Sequence, residues 1–264
     1  MISRTMNHKI SLHTKLVIST VLAIIGVLIL VRLGFWQLDR LEWRRSFNSH
    51  YLSQIALPEL DLNQSQETSL LLDSEYRKGF ASGKFDFDHQ VYLQNQVFQN
   101  TPGYHVLTPF VLSNSSSAII VDRGWISLDD LDHIQEIDNL SKNINYVQGV
   151  IRIGETKNSY GRDPDALKKD DSRFWLLVNL DRLQNQIPYD LMPVYIYLET
   201  NPVKGLPTPV ENEITISEGP HFGYAMQWFF FASLLGFGFP FLFKKMRYQE
   251  HTRQITKEDQ QDDN

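Results

Sequence analysis

The chain has 264 residues, with 25 basic and 31 acidic side chains and a net charge of −6. That length suits one sizeable domain plus further segments, and the acidic balance argues against a nucleic-acid partner, which needs a basic face. With no cysteine in the chain, disulfides, thiolate nucleophiles, thiolate-ligated zinc and cysteine-ligated iron–sulfur clusters are excluded.

After a short polar start (1–15), the first pronounced signal is the apolar run "LVISTVLAIIGVLILVRLGFW", Leu16 to Trp36, interrupted only by Arg32. As a helix it extends roughly 30 Å, the thickness of a bilayer core. Arg32 lies close enough to one end to reach the head groups, and Trp36 suits the interface. A cleaved signal peptide would be shorter and would be followed by a small-x-small site. Beyond it, Trp36, Trp43 and Phe47 recur at helical spacing until Pro58, which predicts a helical continuation over 37–57. Residues 58–72, rich in Asn, Gln and Ser, read as a loop.

From Glu75 the pattern becomes strand-like. The predicted strands are "YRKGFASGKF", "HQVYLQNQVF", "YHVLTPFVL", "AIIVDRGWI", "NYVQGVIRI", "RFWLLVN" and "PVYIYLE". Turn residues at Asn100–Gly103 and Ser113–Ser117 punctuate them, and the second turn predicts a hairpin joining Tyr104–Leu112 to Ala118–Ile126. "SLDDLDHIQEIDNL" opens with a Ser cap and reads as a helix, and "NLDRLQNQI" as a shorter one. Many short strands with few helices imply an antiparallel sheet or a small barrel.

A second apolar run, Phe222 to Phe243, has span length and is followed at once by "KKMR". Lys and Arg are balanced around the first span. Around the second, only Lys204 stands before it, against Lys244, Lys245, Arg247, Arg253 and Lys257 after it. The expected organisation is therefore a membrane protein with two transmembrane helices, 16–36 and 221–243, flanking a β-rich extracytoplasmic domain over 37–220. The N-terminus (1–15) and a charged, disordered tail (244–264) are expected in the cytoplasm. No Arg- and Ser-rich transit peptide precedes the first span, which favours a bacterial inner membrane.

No nucleophile motif, metalloprotease motif, P-loop or dinucleotide fingerprint is present, so no enzyme is expected. Asp86, Asp88 and His89 in "FDFDHQ" lack the partner spacing of a metal site and read as a solvated turn. The unusual feature is His221, one residue before the second apolar run. On a helix, Tyr224, Ala225, Trp228, Ala232 and Gly236 share roughly its face. The small residues permit close helix approach, and Trp228 lies about two turns deeper. A neutral imidazole at the rim of an aromatic groove is a good ligand for haem iron, whereas a plain interfacial anchor explains the same residue without a ligand.

Three separated stretches resemble one family. "LGFWQLDRLEWR" resembles its first signature at Leu33, Gly34, Trp36, Gln37 and Arg40. "PGYHVLTPF" with "IIVDRGWI" resembles its central strand pair, and "GPHFGYAMQWFFFA" its signature at the second span. On these motifs the chain is similar to the Surfeit locus protein 1 family, which assists assembly of cytochrome c oxidase. The resemblance implies a protein that binds haem a transiently and assists its insertion into the oxidase catalytic subunit, without catalytic turnover. It implies His221 as the iron ligand. Arg123, Gly124, Trp125, Tyr224, Gln227 and Trp228 carry over as motif positions without assigned chemistry. His221, Tyr224, Trp228 and Arg40 are the expected cofactor-binding residues. Arg40, with Arg44, suits either the haem propionates or lipid head groups. Expected partners are the oxidase catalytic subunit, haem a synthesis or other assembly factors, and the bilayer. The alternatives are a scaffold that binds oxidase subunits without a haem role and a membrane-anchored sensor, though the tail is short for a signalling domain. The proline that often follows the Gly-Trp-x segment is missing after "DRGWI", which leaves the exit of that strand open.

Overall fold

The computed structural model describes residues 12–262 except 66, 114, 166–171, 201–204, 206 and 211–213. The chain divides into two compact units, one of residues 1–48 and 216–264, the other Ser49–Thr215. The expected N-terminal segment lies mostly outside the described residues, as do Asn114 of the predicted Ser113–Ser117 turn and Lys204 of the charge count.

The first unit is built on two long helices, α1 (Leu12–Ile55, whose last turns belong to the second unit) and α5 (His221–Asp262). Each contains a stretch long and apolar enough to cross a membrane. The helical continuation beyond Trp36 ends at Ile55, three residues before Pro58. The tail corrects the expectation of disorder, because α5 continues to Asp262. After Pro240 it contains neither Gly nor Pro and is rich in Lys, Arg, Gln and Glu, all good helix formers.

The second unit holds β1 (Leu60–Asp61), α2 (Thr68–Asp73), β2 (Lys78–Phe85), β3 (Val91–Phe98), β4 (Thr101–Leu112) and β5 (Ser117–Ser127). These are followed by a 3-10 turn (Asp129–His133), α3 (Ile134–Ser141), β6 (Tyr146–Ile153), β7 (Phe174–Trp175), α4 (Leu180–Gln184) and β8 (Asp190–Leu198). Strands β2, β6, β8, β5 and β4 are hydrogen-bonded in that order, and β2 also pairs with β4, so the five close into a barrel. Only β5–β8 is parallel within it. One edge of β4 is shared, with Phe110–Leu112 facing β2 and Thr101–Leu107 facing β3.

The barrel interior follows from period-two alternation. Met192, Val194, Ile196 and Leu198 of β8 point inward, as do Val147 and Ile151, Ile119 and Val121, and Phe110 and Leu112. Gly79 makes room for this packing, since a Cβ there would lie 2.9 Å from Ile151 Cδ1. A second apolar cluster, Val91, Leu107, Ile120, Trp175, Leu180 and Leu183, covers the outside of β4 and β5.

The predicted hairpin is present, with Tyr104 opposite Ile126 and Val111 opposite Ala118. Three local readings are corrected. The 58–72 stretch carries β1 and α2, because three of its five leucines, Leu60, Leu62 and Leu71, are buried in the barrel core, while Leu70 and Leu72 are exposed. The β3–β4 turn lies at Gln99 and Asn100, both at positive φ, and Thr101–Gly103 already belong to β4. In "RFWLLVN" only Phe174–Trp175 pair as a strand, since the backbone N–H groups of Leu176 and Leu177 donate to Asp165 Oδ2. The strand exit left open by the missing proline is a Ser cap. Asp130 N–H donates to Ser127 Oγ at 3.2 Å, and Ser127 N–H donates to Asp130 Oδ2 at 3.1 Å.

Candidate cofactor site

Helices α1 and α5 approach each other through small residues. Gly34 is buried under an aromatic ring: a Cβ there would lie 2.5 Å from Phe229 Cε1. Phe35 meets the same ring edge-on at 5.4 Å. Opposite, Ala225 and Ala232 are buried. At helical spacing, Gln37 and Leu41 continue the Gly34 stripe. Leu41 is buried, and Gln37 reaches the start of α5.

There Gln37 Oε1 accepts a hydrogen bond from His221 Nδ1 at 2.9 Å. An amide oxygen cannot donate, so this contact needs a proton on Nδ1, and in the neutral ring the lone pair then falls on Nε2. Gly219, at φ +68, clears that nitrogen, and a Cβ on it would lie 3.3 Å from Nε2 and Cδ2. His221 opens α5, and Tyr224 N–H donates to the Pro220 carbonyl at 3.1 Å to start the helix. A half-buried imidazole with one nitrogen tied and the other carrying a lone pair beside a glycine is suited to hold a metal centre from one side. Among the described residues no cluster of three or more His, Asp or Glu could hold a bare metal ion.

The other expected site residues are less closely bound to this constellation. Trp228 is partly buried, seven positions along α5, while Tyr224 is half exposed. Arg40 is exposed, its Cζ 4.3 Å from the Trp43 ring centre, and Trp43 stacks on Phe47 at 6.0 Å. Arg44 is partly buried. Farther along α1, Arg45 grips Glu218 with two nitrogens, each at 3.0 Å.

The central motif has structural chemistry inside the barrel unit. Arg123 is 2% exposed. It donates to Asp138 Oδ1, to Gln90 Oε1 at 3.0 Å and to Ser141 Oγ at 2.9 Å, tying α3 to the sheet. Burial pushes the guanidinium pKa down, and the Asp138 carboxylate opposes that shift. Thr108 and Tyr92 join through Gln90. Asp122 Oδ2 lies 2.8 Å from His105 Nδ1, and Asp122 Oδ1 accepts from Gly124 N–H at 3.0 Å. Gly124 adopts φ +114, and a Cβ there would lie 2.3 Å from the Thr208 carbonyl oxygen. Trp125 and Thr208 exchange backbone hydrogen bonds at this close approach.

The "FDFDHQ" stretch is a turn. Asp86 Oδ1 accepts from Asp88 N–H, and Asp86 Oδ2 meets both His89 Nδ1 at 2.8 Å and the Tyr189 hydroxyl at 2.7 Å. Sequence reasoning missed the role of Gln37. The available signal was its spacing of three from Gly34, which puts it on the face that a second helix touches.

A family model described as the SURF1 family matches residues 24–233, most of the chain. A SURF1-like protein of Rickettsia prowazekii is 29% identical over 213 residues, covering 79% of this chain and 82% of the relative. One of Rickettsia bellii is 27% identical over 218 residues, covering 80% and 85%. The cytochrome oxidase assembly protein SHY1 of Saccharomyces cerevisiae is 27% identical over 95 residues, 36% of this chain and 24% of the relative.

Proposed function

The chain belongs to the SURF1 family, and on that premise we propose that it is a membrane-embedded assembly factor for cytochrome oxidase that holds haem a with His221. The observation that carries this reading is the Gln37–His221 hydrogen bond, which leaves the Nε2 lone pair uncommitted beside Gly219. The name of the yeast relative supports the oxidase connection.

When bound, haem a supplies a redox-active iron within an apolar macrocycle that cannot be left free in water. The chain's own residues do the holding. Gln37 keeps the imidazole in one tautomer, so no reorganisation is needed when a ligand bond forms. Gly219 keeps side-chain bulk away from Nε2. Trp228 and Tyr224 offer aromatic surface on α5, and Arg40 offers a guanidinium for a propionate. A single protein ligand gives a grip that a receiving catalytic subunit can displace. The reading includes no turnover. It places α1 and α5 across a bacterial inner membrane, with both termini in the cytoplasm, on the excess of Lys and Arg after the second span.

The test is haem a content per folded protein after purification from cells that make haem a. His221→Ala is expected to abolish the haem a absorption band while membrane levels hold, because the apolar span is intact. An equal band in the variant overturns the ligand assignment. A colourless, folded parent protein favours a scaffold that binds oxidase subunits without haem.

A further inference from the structure

A second candidate site lies wholly within the barrel unit and does not depend on His221. In the β6–β8 register, Val150 is opposite Tyr197 and Arg152 opposite Tyr195. Their neighbours Ile151, Ile196 and Leu198 fill the barrel core, so these four side chains face outward. A cavity of about 940 Å³ lies on this outer face, lined by Tyr51, Tyr76, Arg152, Tyr197, Val210 and Ile214 among others. That is the size of a small-molecule site.

Three features distinguish it from a packing fault. The Tyr197 hydroxyl is buried and has no hydrogen-bond partner among the described residues, and buried polar groups are ordinarily paired. The Arg152 side chain is only 25% exposed, and it bonds Glu75 Oε1 through Nε at 3.3 Å. No described residue takes a hydrogen bond from its two terminal nitrogens. Its Cζ lies 5.0 Å from the Tyr76 ring centre, and Tyr51 meets that ring edge-on at 5.3 Å. Finally, Tyr76 sits at φ +75, a backbone region that large aromatic residues rarely enter. Its N–H donates to the Ile151 carbonyl at 2.9 Å, fixing this conformation against β6.

We propose that this cavity binds a single-chain amphiphile bearing one carboxylate. The oxygens meet the Arg152 terminal nitrogens and the Tyr197 hydroxyl, and the chain lies against Tyr51, Tyr76, Val210 and Ile214. A guanidinium offers paired donors that match a planar carboxylate. Burial pushes the Tyr197 pKa up, the Asp122 charge adds to this and Arg152 opposes it, so the phenol is a neutral donor. A doubly charged head would be poorly balanced, because Arg152 already faces Glu75 and Lys78 faces Glu199 at 2.8 Å.

The test uses the full chain in lipid nanodiscs, a diazirine-bearing fatty acid and the methyl ester of the same compound. After irradiation, adducts are mapped by peptide mass spectrometry, with labelling of the Leu16–Trp36 span as the internal measure of lipid partition. The acid is expected to label the peptides carrying Tyr51, Tyr76 or Ile214 about tenfold more than the ester does. Arg152→Gln and Tyr197→Phe should each reduce that labelling several-fold, with span labelling unchanged. Tyr197→Phe keeps the ring and removes only the unpartnered hydroxyl, so its fold is expected to survive, and a thermal melt checks this. Labelling confined to the spans, equal labelling by acid and ester, or full labelling of a folded Tyr197→Phe overturns the proposal.

Discussion

Two histidines of this chain are held in nearly the same way yet lie in opposite surroundings. In the barrel unit, His105 Nδ1 is 2.8 Å from a carboxylate oxygen of Asp122, and both side chains are buried. In the helix unit, His221 Nδ1 is 2.9 Å from the amide oxygen of Gln37, and the ring is only partly covered. A buried imidazole beside a carboxylate is a closed structural pair, its oxygens spent on the ring and on the Gly124 N–H. A half-covered imidazole tied by a neutral amide, with a glycine at its free nitrogen, is open on one side. Access and the charge of the partner separate a structural histidine from a candidate ligand, and the hydrogen-bond distance does not.

The largest expected effect falls on the closed unit. Arg123→Ala would strand the buried Asp138 carboxylate between α3 and the barrel, a loss of about 3–5 kcal/mol. Urea denaturation should show it, with a matching fall in membrane abundance. Arg123→Met with Asp138→Leu removes both charges and should recover most of the loss. If Arg123→Ala alone leaves the midpoint unchanged, the barrel motif is not structural and the contrast with the helix unit fails.

The histidines can then be exchanged as probes. His105→Ala should cost the barrel about 1–3 kcal/mol, since Asp122 loses its buried partner, while haem content per folded molecule is unaffected. His221→Ala should do the reverse, with an unshifted melt and no haem a band. A variant pair that behaves alike would break the comparison.

These tests bear on how far the sequence alone could be read. The two long apolar helices, most strands and the central hairpin follow from hydrophobic run length and period-two alternation, because each is a local pattern. The 58–72 stretch reads as a loop because its five leucines among polar residues form no period, although the barrel core buries Leu60, Leu62 and Leu71. The tail failed because charge density was taken for disorder where helix propensity was also high. At the candidate site, His221 was legible from its place at the start of an apolar run. Its hydrogen bond to Gln37 spans 184 positions, and only tertiary structure can supply such a partner. The Arg123 network was likewise invisible, since Gln90, before β3, and Asp138 and Ser141, in α3, lie 33, 15 and 18 positions from Arg123.

A smaller effect sharpens the open side of the comparison. Gln37→Leu keeps the helix packing volume but frees the imidazole to exchange tautomers. Partners that orient a ligating histidine typically contribute 10- to 100-fold to affinity, so haem a affinity should fall at least about tenfold, with the band retained at saturating haem. His221→Ala removes the ligand bond itself and should lose the band altogether. A Gln37→Leu protein with parental affinity would show that His221 needs no orientation, and Gln37 would then be a packing residue of α1.

The smallest expected effect concerns Arg45 and Glu218, which tie α1 to the segment just before α5. Their forked contact has good geometry, with both distances at 3.0 Å. Yet the side chains are 52% and 51% exposed, so water and salt screen the pair. The hydrogen bond from Arg45 holds the Glu218 carboxyl below its ordinary pKa against the desolvation penalty, and the guanidinium charge adds to the lowering. A depressed carboxylate contributes stability that is present above its unfolded pKa, about 4.3 for Glu, and is lost as pH falls through the lower folded value. Arg45→Ala should therefore leave the melting temperature unchanged within error at physiological salt. At low salt, any difference from the parent should be full above about pH 4 and be lost progressively on further acidification. If Arg45→Ala instead removes the haem a band at neutral pH, this exposed pair positions the Gln37–His221 contact, and the open site extends along α1 beyond the stripe of Gly34, Gln37 and Leu41.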